Sequence, residues 1–126
     1  MSPEHNDPRD FLPLNPLEFR ILLALRHGCL HGYAIVKEVE ERSGDRERIF
    51  PANLYRRIRN LLSSGLLAET DPPRDAVPDD DRRRKFFRLT PLGVEVARAE
   101  TERLAGLLSE AAEKDLVAET RRGSAT

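Results

Sequence analysis

Residues 51–65 read Pro-Ala-Asn-Leu-Tyr-Arg-Arg-Ile-Arg-Asn-Leu-Leu-Ser-Ser-Gly. Leu54, Ile58, Leu61 and Leu62 recur at i, i+4, i+7 and i+8, so on a helix they share one face and can pack on a core. Asn53, Arg56, Arg57 and Asn60 fall roughly opposite. The stretch holds three arginines and no acid. Pro51 suits a first helical turn, and Gly65 suits a left-handed cap after the last. A helix dry behind, with Arg and Asn in front, suits the major groove of DNA. There Arg can bond guanine bidentately and Asn can do the same to adenine. A solvated surface helix has much the same pattern, so the flanking sequence has to decide between them.

Upstream, Asn15 is placed to cap a first helix, with Pro16 in its first turn and Glu18 three residues after the cap. Leu14, Leu17, Ile21, Leu22 and Leu25 form its apolar face, and Gly28 is expected to end it. A second helix is expected over 32–43, with Tyr33, Ile35, Val36 and Val39 inward and Ser43-Gly44 closing it. Residues 45–50 connect, with a short strand expected around Ile49 and Phe50. Residues 1–12 show no periodicity and read as a flexible N-terminal tail, with Phe11 and Leu12 able to dock on the domain.

Downstream, the period changes from helical to strand-like. Residues 66–70 and 84–89 read as two strands of a hairpin. Between them, residues 71–83 hold three prolines and five aspartates, which exclude a central strand or stable helix. Arg82, Arg83, Arg84 and Lys85 then stand in a row, able to neutralise phosphates while carrying little sequence information. A solvated turn balanced by Asp79, Asp80 and Asp81 is the bland alternative. Thr90 caps a last helix, with Pro91 in its first turn. That helix is expected over 91–119, with a broken stripe of Leu92, Val96, Ala99, Leu104, Leu107, Leu108 and Ala111. It carries seven acids against three bases. Its length exceeds the radius of a small domain, so its stripe needs a partner. Residues 120–126 read as a disordered tail.

The fold class is therefore mainly α with a small β-hairpin: a winged helix-turn-helix over 13–90 plus a long C-terminal helix. In such motifs the second helix of the pair enters the major groove.

Composition sets outer bounds. A chain of 126 residues suits one small domain with an appendage. Net charge is −1, which argues against a general histone-like binder but not against a local basic face. One cysteine allows no intrachain disulfide and agrees with a reducing cytoplasm. No apolar run approaches the ~20 residues of a membrane span, and the N-terminus has no signal-peptide pattern. A soluble cytoplasmic protein is expected. His27, Cys29 and His31 lie close together, but zinc usually takes four ligands and no second pair exists. We read them as the end of one helix and the start of the next. A redox role for Cys29 has no support. No phosphate-binding glycine loop or acid–base pair is present, so neither an enzyme nor a cofactor is expected.

The sequence resembles the PadR family of bacterial transcriptional regulators. The resemblance rests on His31-Gly32-Tyr33-Ala34-Ile35, Asn53-Leu54-Tyr55-Arg56-Arg57-Ile58 and Ser64-Gly65-Leu66-Leu67. It continues in 81–93, which ends Arg88-Leu89-Thr90-Pro91-Leu92-Gly93. It implies a homodimeric repressor of the short subfamily, with a winged-helix head and one C-terminal dimerisation helix. Tyr55 matches a family tyrosine near the DNA backbone. Ala52-Asn53 stands where members often have Gly-Thr or Gly-Ser, which puts the usual base preference in doubt. Leu62 replaces a frequent acid. Some short members hold flat aromatic drugs with tryptophan between subunits; this chain has no Trp.

Under this reading Asn53, Arg56, Arg57 and Asn60 reach bases or nearby phosphates. Tyr55, Arg59 and Arg82 to Lys85 hold phosphates. Leu92, Val96, Leu104, Leu107, Leu108 and Ala111 form the dimer seam. The expected partners are a near-palindromic duplex operator, a second copy of the chain, and a small-molecule effector lodged at the dimer interface. The rival is a winged-helix protein-interaction module without DNA binding, against which the acid-free arginine cluster speaks.

Overall fold

The computed structural model describes residues 7–44, 49–74 and 84–118. Helix α1 spans Pro16–Ala24, strand β1 Leu30–His31, α2 Gly32–Ser43, α3 Pro51–Ser63, β2 Leu67–Thr70, β3 Phe86–Leu89 and α4 Pro91–Glu113. The caps are those the side chains dictate. The Leu17 and Glu18 N–H groups donate to Asn15 Oδ1 at the start of α1. The Ala34 N–H donates to His31 Nδ1 at 3.0 Å, so His31 caps α2. The Gly93 N–H donates to Thr90 Oγ1 at 3.0 Å, capping α4. Helix α3 has no side-chain cap and relies on Pro51 in its first turn.

One core joins these elements. Ile21, Leu22 and Leu25 meet Ile35, Val36 and Val39 of α2 and Leu54, Ile58 and Leu61 of α3. Leu66 just ahead of β2, Leu67 of β2 and Phe87 of β3 close it on one side, and Val96 and Ala97 from α4. A short 3-10 helix, Pro8–Phe11, lies against α4, and Phe11 and Leu12 pack on the core. These residues belong to the stretch in which the sequence suggested a tail.

Four boundaries differ from the sequence expectations. Helix α1 ends at Ala24, short of Gly28, because the Leu25 N–H turns back to both Ile21 O and Leu22 O at 3.2 Å. No strand forms at Ile49 and Phe50. The additional strand is β1, which makes the hairpin a three-stranded antiparallel sheet in the order β1-β3-β2. Leu30 stands opposite Phe87 and His31 opposite Phe86. Helix α4 ends at Glu113, where Asp115 adopts φ 63° and the Leu116 N–H returns to Ala111 O at 3.0 Å. That is the six-to-one bond of a Schellman stop. Gly65 ends α3 in the same way, with φ 83° and the Leu66 N–H on Leu61 O at 3.0 Å.

The junction between α3, β2 and α4 is tightly specified. Thr90 Oγ1 donates to Gly65 O at 2.6 Å, and the Thr90 N–H donates to Leu66 O at 3.1 Å. A Cβ on Gly93 would stand 2.2 Å from Leu66 O, so α4 can approach β2 this closely only with glycine there. This contact ties the wing strands to α3 and fixes their relative placement.

Candidate nucleic-acid interface

Helix α3 presents its polar face beside the root of the hairpin. Its buried stripe is Leu54, Ile58 and Leu61, with Leu62 half-buried. At about 100° per residue, Arg56, Arg59 and Asn60 point away from that stripe, and all three are exposed. Asn53 is half-buried, and its Oδ1 accepts a short hydrogen bond from the Arg56 guanidinium. One base-reading candidate thus orients another before any ligand arrives.

Tyr55 and Arg57 lie on the two flanks of the stripe. Tyr55 faces the start of α2, where a Cβ on Gly32 would come within 2.9 Å of its ring. Arg57 turns the other way, toward α1. Its Nη1 lies 3.4 Å from Glu18 Oε2, with 29% of the Arg57 and 16% of the Glu18 side chain exposed. Arg57 is therefore not displayed with its neighbours on the open face, although the sequence grouped it with them.

The wing root contributes Arg84 and Lys85, both exposed. The Arg84 guanidinium sits 5.6 Å from the Tyr33 ring centre and 3.1 and 3.3 Å from the two His31 ring nitrogens. His31 also meets Phe86 edge-on at 5.3 Å. Lys85 Nζ lies 3.8 Å from Glu69 on the paired strand. Arg82 and Arg83 lie outside the described residues. Together α2, α3 and the strands enclose an open groove of about 380 Å³, lined by His31, Tyr33, Tyr55, Arg59, Arg84 and Lys85 among others. Cations over an aromatic floor can hold phosphate oxygens while the rings pack on sugars.

The sequence placed Tyr33 in the core, but it is 54% exposed and lines this groove. The wheel held the signal. Ile35, Val36 and Val39 define the inward direction of α2, and Tyr33 lies more than a quarter-turn from it. His31 and Glu18 are further residues that the sequence did not assign to the site.

The seam residues divide along α4. Val96 is fully buried and Leu92 half-buried in the core of their own chain. Leu104, Leu107 and Leu108 are 37%, 50% and 52% exposed, and Ala111 is half-buried. Among the described residues no helix is long and apolar enough to cross a membrane, and no cluster of His, Cys, Asp or Glu could hold a metal ion.

The family of PadR-like transcriptional regulators matches residues 21–99. A 37.1 kDa protein of transposon TN4556 from Streptomyces fradiae, described as uncharacterized, is 34% identical over 106 residues. The match covers 82% of this chain and 28% of that protein, so the chain spans little more than a quarter of the relative's length. A PadR family transcription regulator from hypervirulent Clostridium difficile R20291 superposes with a TM-score of 0.66 at 19% identity, over 79% of this chain and 97% of its own. Bacillus subtilis PadR, solved in complex with operator DNA, gives 0.57 at 23%, over 69% and 46%. The two structural likenesses show a shared fold.

Proposed function

The chain belongs to the PadR-like family of transcriptional regulators, and from that premise we propose that it is a homodimeric, sequence-specific DNA-binding repressor acting in the cytoplasm. The observation that carries this is the α3 surface. Arg56, Arg59 and Asn60 are exposed on a helix without acids, beside the Tyr55, Arg84 and Lys85 groove. In the proposal Asn53, Arg56 and Asn60 meet base edges. Tyr55, Arg59 and the basic run Arg82 to Lys85 hold phosphates. Arg57, paired with Glu18, stands outside this set. The exposed α4 stripe from Leu104 to Ala111 joins two copies, so two α3 helices face half-sites about one DNA turn apart. Bacillus subtilis PadR, of the same fold, was solved on operator DNA, which supports this reading.

The test is fluorescence anisotropy on the duplex upstream of the protein's own gene, with a scrambled duplex beside it, at two salt concentrations. A preference of about 10³-fold or more for the native duplex is expected of a specific regulator. Equal, strongly salt-dependent affinity would leave a basic face without a target at that locus. No binding to either duplex at moderate salt would favour the interaction-module reading.

A further inference from the structure

We infer that Glu18 withholds Arg57 from DNA, so that a carboxylate on α1 sets how many cations the recognition helix contributes. The inference rests on the DNA-binding reading of α3 and adds a residue outside that helix that sets its affinity and salt dependence.

Three observations carry it. Glu18 is held in place, because the first turn of α1 is fixed by the Leu17 and Glu18 N–H groups on Asn15 Oδ1. Arg57 reaches it across the α1–α3 contact, Nη1 to Oε2 at 3.4 Å, with both side chains largely covered. The pair is single-point rather than a two-bond fork, and Arg57 Nε is shielded from solvent without a hydrogen-bond partner among the described residues. A guanidinium tied down by two parallel bonds would be a fixed structural clamp. This one is neutralised and turned aside, yet incompletely satisfied. A screened, half-covered cation adds little to the field that DNA phosphates meet. Arg59, two residues on, points into the open groove instead.

The chemistry gives the sign of each substitution. Removing the Glu18 charge leaves Arg57 as a free cation at the edge of the reading face, able to meet a phosphate. Each added phosphate contact steepens the fall of log K with log salt by about 0.9. Such a contact is indifferent to sequence, so the gain falls on operator and scrambled duplex alike. Glu18 thereby lowers affinity and salt dependence on any duplex, and leaves the ratio between operator and scrambled DNA unchanged.

The experiment compares the wild type with Glu18→Gln, Arg57→Ala and the double variant, by anisotropy on operator and scrambled duplexes across a salt series. Circular dichroism confirms that each variant is folded. Glu18→Gln is expected to bind both duplexes several-fold more tightly at low salt, with the slope steeper by about one unit. Arg57→Ala alone should leave the slope unchanged, and the double variant should return to the wild-type slope. A plain structural brace predicts otherwise: Glu18→Gln would weaken binding or leave the slope alone. Either result overturns the inference, as does a flatter slope in Arg57→Ala alone, which would put Arg57 on DNA already. If Glu18→Gln does not fold, Arg57→Ala decides by that same slope. If the wild type binds no duplex, the functional reading falls and the inference falls with it. If it binds and the slopes do not follow this pattern, the inference alone fails.

Discussion

At the scale of single residues, the least expected feature is Glu100. It lies on α4 among inward-facing positions and is 2% exposed. The Arg103 Nε and Nη2 groups donate to its two oxygens at 2.8 and 2.7 Å. Those bonds hold its carboxyl below the ordinary value of 4.5. Burial opposes the shift, and the Arg103 charge and the Leu14 N–H assist it. A lowered folded-state pKa stabilises the protein above the unfolded value and ceases to do so as pH falls through the folded one. Glu100→Gln should therefore cost about 1–2 kcal/mol near neutral pH, as charged hydrogen bonds do. The difference from wild type should shrink as pH drops below the ordinary carboxylate range. Urea unfolding of both proteins at pH 7 and pH 3.5, at one protein concentration, checks it. An unchanged difference at low pH would show that the carboxylate charge is not what matters. The sequence hid this residue because an acid in a stripe of Leu, Val and Ala reads as the solvent face, and its partner three residues on is an ordinary surface pairing. By contrast, Leu54, Ile58 and Leu61 were plain from spacing alone, because a 3.6-residue period leaves little choice of face. Arg57 and Tyr55 were harder: both sit on the flanks of that stripe, where only the packing of α1 and α2 decides which way a side chain turns.

At the scale of elements, the helices and the two hairpin strands were legible and the third strand was not. Asn15, His31 and Thr90 each accept backbone N–H groups at a helix start, and such caps are local signals. Strand β1 has two residues, Leu30–His31, and exists through its pairing with β3 more than fifty positions away. No local period can announce that. The junction at Gly93 lies between these cases. A glycine three residues into a helix reads as a weakness, since it gives up helix propensity. In the fold it lets α4 pass Leu66 O where a Cβ would stand at 2.2 Å, against backbone that cannot rotate away. Gly93→Ala should therefore destabilise the protein by about 1–3 kcal/mol or more through overpacking, despite alanine's better propensity. Chemical unfolding checks the sign. A stabilised variant would mean that α4 can shift along β2 freely, and the coupling of the hairpin to α3 would have to be dropped.

At the scale of the whole molecule, α4 does two jobs along one axis. Gly93, Val96, Ala97 and Glu100 are buried in the domain, while Leu104, Leu107 and Leu108 continue outward with large apolar surface exposed. Twenty-three residues at 1.5 Å each make a rod of about 35 Å. Among the described residues nothing covers those leucines. The spacing of 104, 107, 108 and 111 is that of a helix–helix seam. If two copies join there, Leu107→Lys with Leu108→Lys should give a folded monomer, because neither side chain belongs to the core. Light scattering after size exclusion reads the mass, and helical circular dichroism reads the fold. Loss of the dimer should weaken operator binding by about 10²-fold or more, since two linked heads act with an effective concentration that one head lacks. Binding of a single half-site should change little, because neither leucine belongs to α3 or lines the groove beside it. A double variant that stays dimeric would move the seam elsewhere. A monomer that holds the full operator as tightly as before would mean that one α3 helix and its groove suffice for recognition.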